Sequence, residues 1–344
     1  MIRNLLISAC LLTCAPAFAA ASNVLAWEGR TMGTFYAVKI SGVAQDAKLT
    51  AALHGAVEQR LDELNRQMSH YLPESELSRF NRSASTAPCK ISPAFARVMR
   101  HALAMSRASD GAFDPALGVL INLWGFGPGG TPGRVPTDAE LSAARQLCGA
   151  QHLRINERDE LQKDISGLQL NLGGVAKGFG ADEVARVLRE RGYTNLFVSV
   201  GGEVVTLGRN AEGRLWQVGI ERPHYGSAPG AALCAIVPLS GRALSTSGDA
   251  HNFFRDAHGN VFAHLLDPAT GRPVSNNLAS VTVLAPDGLT ADSLTKPLYI
   301  LGLERGLRWI EQRPDAAALF IVRENDGHLR LVPSSRFPVF QALE

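Results

Sequence analysis

The sequence predicts an α+β fold, a largely antiparallel sheet with helices packed on it, and three observations carry that prediction. Amphipathic helical stretches crowd the first half of the chain. Short strand-like runs joined by tight turns fill the second half, and the two kinds do not alternate regularly. With 344 residues, 46% of them hydrophobic, the chain can fill a substantial core. It shows no internal repeat, low-complexity tract or linker, so residues 20–344 read as one domain.

Residues 1–19 read as a secretory signal. Arg3 is basic, Leu5 to Leu12 is apolar, and Ala17-Phe18-Ala19 offers small residues for cleavage. The apolar part is too short to serve as a permanent span. Ile7-Ser8-Ala9-Cys10 also fits a lipoprotein cleavage box, though little apolar sequence precedes it. The mature chain is therefore expected to be exported, to the periplasm or otherwise, with a lipid anchor as the secondary reading.

Thr34 to Ile40 alternates as a strand. Leu49, Leu53, Val57, Leu61, Leu64 and Met68 recur at four- and three-residue steps and predict a long helix, followed by a polar loop. Ser92-Pro93 starts a helix that runs to Ser109, and Thr137 with Glu140 forms a capping box for another reaching Leu147. Between these two helices, residues 125–130 must be a loop. Beyond His152, strands are expected at 152–156, 161–165, 168–172, 196–200, 203–208, 215–220, 233–238, 261–266 and 279–284. A helix from Ala176 to Arg191 interrupts them, and helices near 290–301 and 304–312 follow.

Composition excludes some functions. Lys+Arg 34 against Asp+Glu 32 gives a formal net charge of +2 and no basic patch, which argues against nucleic acid as a partner. Cys10 and Cys14 fall in the signal. Cys89, Cys148 and Cys234 are too widely spaced for a zinc cluster and allow at most one disulfide.

The chemistry begins at Leu170-Asn171-Leu172-Gly173-Gly174-Val175-Ala176-Lys177-Gly178, which reads as a strand, a glycine turn and a helix start carrying a lysine. Such a helix end offers backbone N–H groups, a positive dipole end and an ammonium to an anion. It is neither a Walker loop nor a dinucleotide-binding glycine turn. The plain alternative is a structural tight turn.

Further segments rich in Gly, Asp, Ser and aromatics stand at expected strand ends or loops: Thr31-Met32-Gly33-Thr34, Met68-Ser69-His70-Tyr71, Gly111-Ala112-Phe113-Asp114-Pro115, Ser199-Val200-Gly201-Gly202-Glu203, Ser245-Thr246-Ser247-Gly248-Asp249 and His264 to Gly271. With Leu289-Thr290-Ala291-Asp292-Ser293-Leu294-Thr295, and in this order, the set resembles the FAD:protein FMN transferase (ApbE) family over nearly the whole mature chain. The resemblance implies transfer of FMN from FAD to a threonine or serine of a target protein, with release of AMP and with magnesium as the usual metal. The target it implies is an acceptor protein of a membrane-associated electron-transfer system. It implies FAD contacts at Met32, Tyr71, Ala112, Phe113, Asp114, Asn171, Lys177, His264 and Leu266. Metal ligation falls to Gly174 and Asp292, with the hydroxyl region around Thr295. The acceptor hydroxyl must lose a proton, and His264, Asp292 and Asp267 are the candidate bases. An FAD-binding protein without transferase activity and a metal-dependent FAD pyrophosphatase are the rival readings.

Two positions depart from the family pattern. Asn171 stands where aspartate is usual, which keeps hydrogen bonding and drops a charge. Lys296 falls where a metal-binding threonine is expected. At about 4 Å and an effective dielectric constant of about 20, an ammonium and a divalent cation repel by about 8 kcal/mol. Three outcomes stay open: Lys296 turns outward and Thr295 serves, Lys296 acts as a fixed cation on the FAD phosphates, or metal binding and transfer weaken. Pro297 also removes a helical hydrogen bond unless it lies in a first turn.

Overall fold

The computed structural model describes residues 23–343 except Gly129, Thr131, Pro132 and Pro229, so the expected signal lies outside the described residues. Among the described residues, eight strands form one sheet whose spatial order follows the chain: Val24–Thr31, Thr34–Ser41, Leu196–Val200, Glu203–Leu207, Arg242–Gly248, Leu278–Ala285, Ala317–Arg323 and Leu329–Pro333. Every neighbouring pair is antiparallel. Helices enter as excursions between strands. Residues 42–195 carry α1 (Ala47–Met68), α2 (Glu76–Arg82), α3 (Pro93–Ala108), α4 (Gly118–Leu123), α5 (Asp138–Arg145) and α6 (Ala176–Arg189). Between the sixth and seventh strands lies α7 (Gly288–Glu311).

The sheet is buried on both faces at its centre. In Ala317–Arg323, Ala318, Phe320 and Val322 join the core that includes buried residues of α1, α6 and α7. Ala317, Leu319 and Ile321 face a second core, shared with Val218, Ile220, Val237 and Leu239 of a small sheet built from Trp216–Glu221, Leu233–Leu239 and Gln341–Ala342. A strand buried on both faces has no polar alternation, which is why the sequence pattern does not announce this one. Arg242–Gly248 is hidden for the opposite reason, being polar yet central. Its hydroxyls are paired: Ser245 donates to Glu203, Thr246 Oγ1 lies 2.8 Å from Thr282 Oγ1 on the facing strand, and Ser247 Oγ lies 2.7 Å from Thr295 Oγ1. The strands Val24–Thr31 and Leu329–Pro333 and the short helices α2 and α4 also lie outside the sequence expectation.

Residues 168–172 correct that expectation. Leu168, Leu170 and Leu172 are buried as the alternation requires, but the segment belongs to no sheet. Side chain and loop take over its backbone hydrogen bonds. Leu170 N–H donates to Asn81 Oδ1 (2.8 Å), Asn81 Nδ2 donates to Leu170 O (2.9 Å), and Asn171 N–H donates to Pro115 O (2.8 Å). The expected strand 261–266 is likewise split into Val261–Ala263 and Leu266–Asp267, with His264 in the gap.

Contact between α6 and α7 positions the site. A Cβ at Gly178 would sit 2.1 Å from Gly288 O, and one at Gly288 would sit 2.3 Å from Gly178 O, so the two backbones touch where only glycine fits. Asp182 of α6 accepts from Gly288 N–H (2.7 Å) and Leu289 N–H (2.8 Å), and Asp287 caps α7 by accepting from Thr290 N–H. The two helices expected near 290–301 and 304–312 meet at Gly302, whose φ of 73° breaks α7. Pro297 lies well past the first turn, leaving Ser293 O without its usual helical donor.

Candidate active site

A cavity of about 290 Å³ opens beside the turn into α6. Tyr71, Ala112, Phe113 and Asp114 line it from the helical excursion, and Asn171, Gly174 and Lys177 from the turn. The second half of the chain adds His264, Leu266 and Lys296. Met32 lies instead in an adjoining cavity of about 100 Å³, to which Tyr71 and Lys177 also contribute. A larger space of about 660 Å³ shares Ala112, Asp114, Leu117 and Ile300 with the first and is lined by neither Lys177 nor Lys296. Asp292 and Thr295 are fully buried.

Local chemistry explains several of these placements. Asn171 Oδ1 accepts from Gly173 N–H (2.9 Å), folding the glycine turn. Asp114 accepts from Ala116 N–H (2.7 Å) and Ala150 N–H (3.1 Å), so it ties the lining loop to the segment after α5. Burial pushes its carboxyl above the usual aspartate range. The start of α6 is less open than the sequence suggests, because Gly178 N–H donates to Asp292 Oδ2 at 3.1 Å.

Four charged groups meet behind the cavity. Lys177 pairs with Glu203, and Lys296 pairs with Asp292. Burial opposes the charge on Lys177, but Glu203 and Asp292 outweigh it and hold the ammonium above the usual lysine range. Burial likewise opposes the charge on Asp292, and Lys296 with Lys177 outweighs it and holds the carboxylate below its usual range. The lysine side chains reach the cavity with 28% and 14% exposure, while those of Glu203 and Asp292 lie behind them at 2% and 0%. A ligand therefore meets the cationic side of a formally neutral cluster.

The side-chain donors expected for magnesium are already engaged. Asp292 has both oxygens engaged, Oδ1 by Lys296 and Oδ2 by Gly178 N–H. Thr295 Oγ1 donates to Asp292 O (2.8 Å) and meets Ser247 on the neighbouring strand. Lys296 does not turn outward: its Cε lies 3.2 Å from where a Gly174 Cβ would stand. Among the described residues, no group of three or more His, Cys, Asp or Glu is placed to hold a metal. In this arrangement the residues do not fit a divalent cation.

His264 carries the remaining chemistry. Its Nδ1 lies 3.2 Å from Asn252 O, and a carbonyl only accepts, so Nδ1 bears the hydrogen and Nε2 keeps a lone pair. Burial, with the Lys296 ammonium next in weight, lowers its pKa to about 4 and keeps the ring neutral. Asp267 Oδ1 accepts from Ala269 N–H (2.9 Å) in a turn and lines the larger space rather than the cavity beside α6. Glu203 and His70, which lay in the segments noted above but were given no role, and Phe126 stand beside the expected residues. For Glu203 the available signal was an acid between a glycine pair and an apolar strand.

The ApbE family model matches residues 32–320 of the chain. The chain is 39% identical over 303 residues to the FAD:protein FMN transferase of Salmonella typhimurium, covering 87% of this chain and 85% of that protein. It is 40% identical over 313 residues to the protein of the same name from Vibrio cholerae, covering 90% and 91%. Its fold resembles the solved flavin transferase ApbE from Vibrio cholerae with a TM-score of 0.81 and 38% identity, over 91% of this chain and 98% of that one.

Proposed function

The chain belongs to the ApbE family, and from that membership we propose that it is an FAD:protein FMN transferase acting on a hydroxyl of an acceptor protein. One observation carries the proposal to particular residues: Lys177, Lys296, Asn171 and His264 line a single cavity. The acceptor oxygen forms a bond to the flavin-side phosphorus of FAD, the bond from that phosphorus to the bridging oxygen breaks, and AMP leaves with that oxygen. The hydroxyl proton passes to Nε2, the ring nitrogen left without a hydrogen, of the cavity-lining His264. Lys177 and Lys296 stabilise charge on the phosphate oxygens as the bond order shifts. Tyr71, with 58% exposure, and the buried Phe113 offer aromatic surface at the cavity. Met32 contributes from the adjoining space.

Family resemblance also implies magnesium, but Asp292 and Thr295 are engaged within the protein and no step is assigned to a metal. The signal-like residues 1–19 support action outside the cytoplasm on an exported or membrane-associated electron-transfer protein. The test is incubation of the purified chain with FAD and an acceptor domain. AMP release together with FMN mass on the acceptor is expected. AMP alone would favour a pyrophosphatase, and intact bound FAD a binding protein.

A further inference from the structure

We propose that this chain holds the FAD diphosphate against two lysine ammoniums, Lys177 and Lys296, with no divalent cation at Asp292. The inference rests on the transferase reading above and adds how the phosphate charge is met. Lys296 reaches Asp292 Oδ1, lies 3.2 Å from Asp292 O, and lays its stem along Gly174. An ammonium has three donors and no acceptor. The two partners of Lys296 lie on one residue, which leaves a donor for a phosphate oxygen. Lys177 spends one donor on Glu203 and has others to offer. Both ammoniums border the cavity, whereas their carboxylate partners are sealed behind them.

A magnesium ion would need about six oxygens at close to 2 Å in near-octahedral geometry. To enter between Gly174 and Asp292 it would have to displace both the stem and the charge of Lys296. Thr295, the alternative hydroxyl that the sequence offers, already meets Ser247 and Asp292 O. A fixed ammonium thus supplies there the positive charge that a bound cation would otherwise bring, without needing a metal ligand set.

The test uses the full mature chain, with FAD binding followed by flavin fluorescence in EDTA and in magnesium, and with manganese uptake followed by electron paramagnetic resonance. Wild-type protein is expected to bind FAD equally in both buffers and to leave the free manganese signal unchanged. Lys296→Thr should weaken FAD binding in EDTA about 10- to 100-fold, the loss of one charge-assisted hydrogen bond. Magnesium should restore much of that loss, and the variant should take up manganese. The wild-type measurements decide the matter even if the variant fails to fold. Wild-type FAD binding that requires magnesium, or manganese uptake by the wild type, would overturn the proposal and leave the transferase reading standing. Absence of FAD binding in either buffer would overturn both.

Discussion

His264 and Lys177 make opposite demands on their surroundings. A base must be neutral to accept a proton, and the ring of His264 is held neutral down to a pKa of about 4. For the proposed transfer, kcat/KM should therefore stay level as pH falls from 7 to about 5 and drop only through about 4. An acid limb centred near the ordinary histidine value of about 6.5 would instead mean that burial and Lys296 do not hold the ring of the base neutral. His264→Ala should lower kcat by about 10²–10⁴-fold, measured as AMP released in single turnovers. Lys177 must instead stay charged, and Glu203 is its sealed partner. Lys177→Met leaves that carboxylate buried and unpaired, with only the Ser245 hydroxyl donating to it. Urea unfolding should register a loss of about 3 kcal/mol, at the low end for a broken buried pair because Lys177 itself reaches the cavity. Lysine at the helix start was legible in the sequence, but its partner was not, since Glu203 is remote in sequence and joined to it only by the fold.

Helices α6 and α7 hold these residues in place through a backbone contact that tolerates no side chain. Gly178→Ala would put a methyl group 2.1 Å from Gly288 O and must push the helices apart, costing about 3 kcal/mol in denaturant unfolding. FAD binding should weaken with it, because Gly178 N–H also orients Asp292. Asp182 makes the second tie. Burial raises its pKa from 3.8 to about 7, so between those values the folded protein binds more protons at this site than the unfolded chain. Its contribution to stability must then fall as pH rises from about 4 to about 7. Unfolding free energies of wild type and Asp182→Asn, compared across that range, should show this slope in the wild type and lose it in the variant. The sequence displays both helices clearly, because their apolar residues recur at helical spacing. It cannot display the glycine contact, which depends on two backbone segments far apart in sequence meeting in the fold.

Across the whole fold, the eight-stranded sheet runs in chain order, and the cavity-lining residues Tyr71, Phe113, Lys177, His264 and Lys296 all lie in excursions between its strands. Cys89 is exposed while Cys148 and Cys234 are buried, and no disulfide joins them among the described residues. Native mature protein should therefore react with a thiol reagent at Cys89 alone, denatured protein at all three, and reductant should leave the unfolding midpoint unchanged. Labelling of Cys148 or Cys234 in the native state would show that their packing opens. The fold class, the long helices, the strands with clear alternation, the glycine turn into α6 and the family were all legible in the sequence, because each of these is written in local spacing or in contiguous motifs. Folding alone sets which way Lys296 points, that Thr295 belongs to Ser247 rather than to the cavity, that residues 168–172 join no sheet, and that Glu203 lies behind Lys177. The reason is the same in each case: a side chain's partner is set by burial and charge among residues that the chain brings together only on folding, and no spacing along the sequence encodes that meeting.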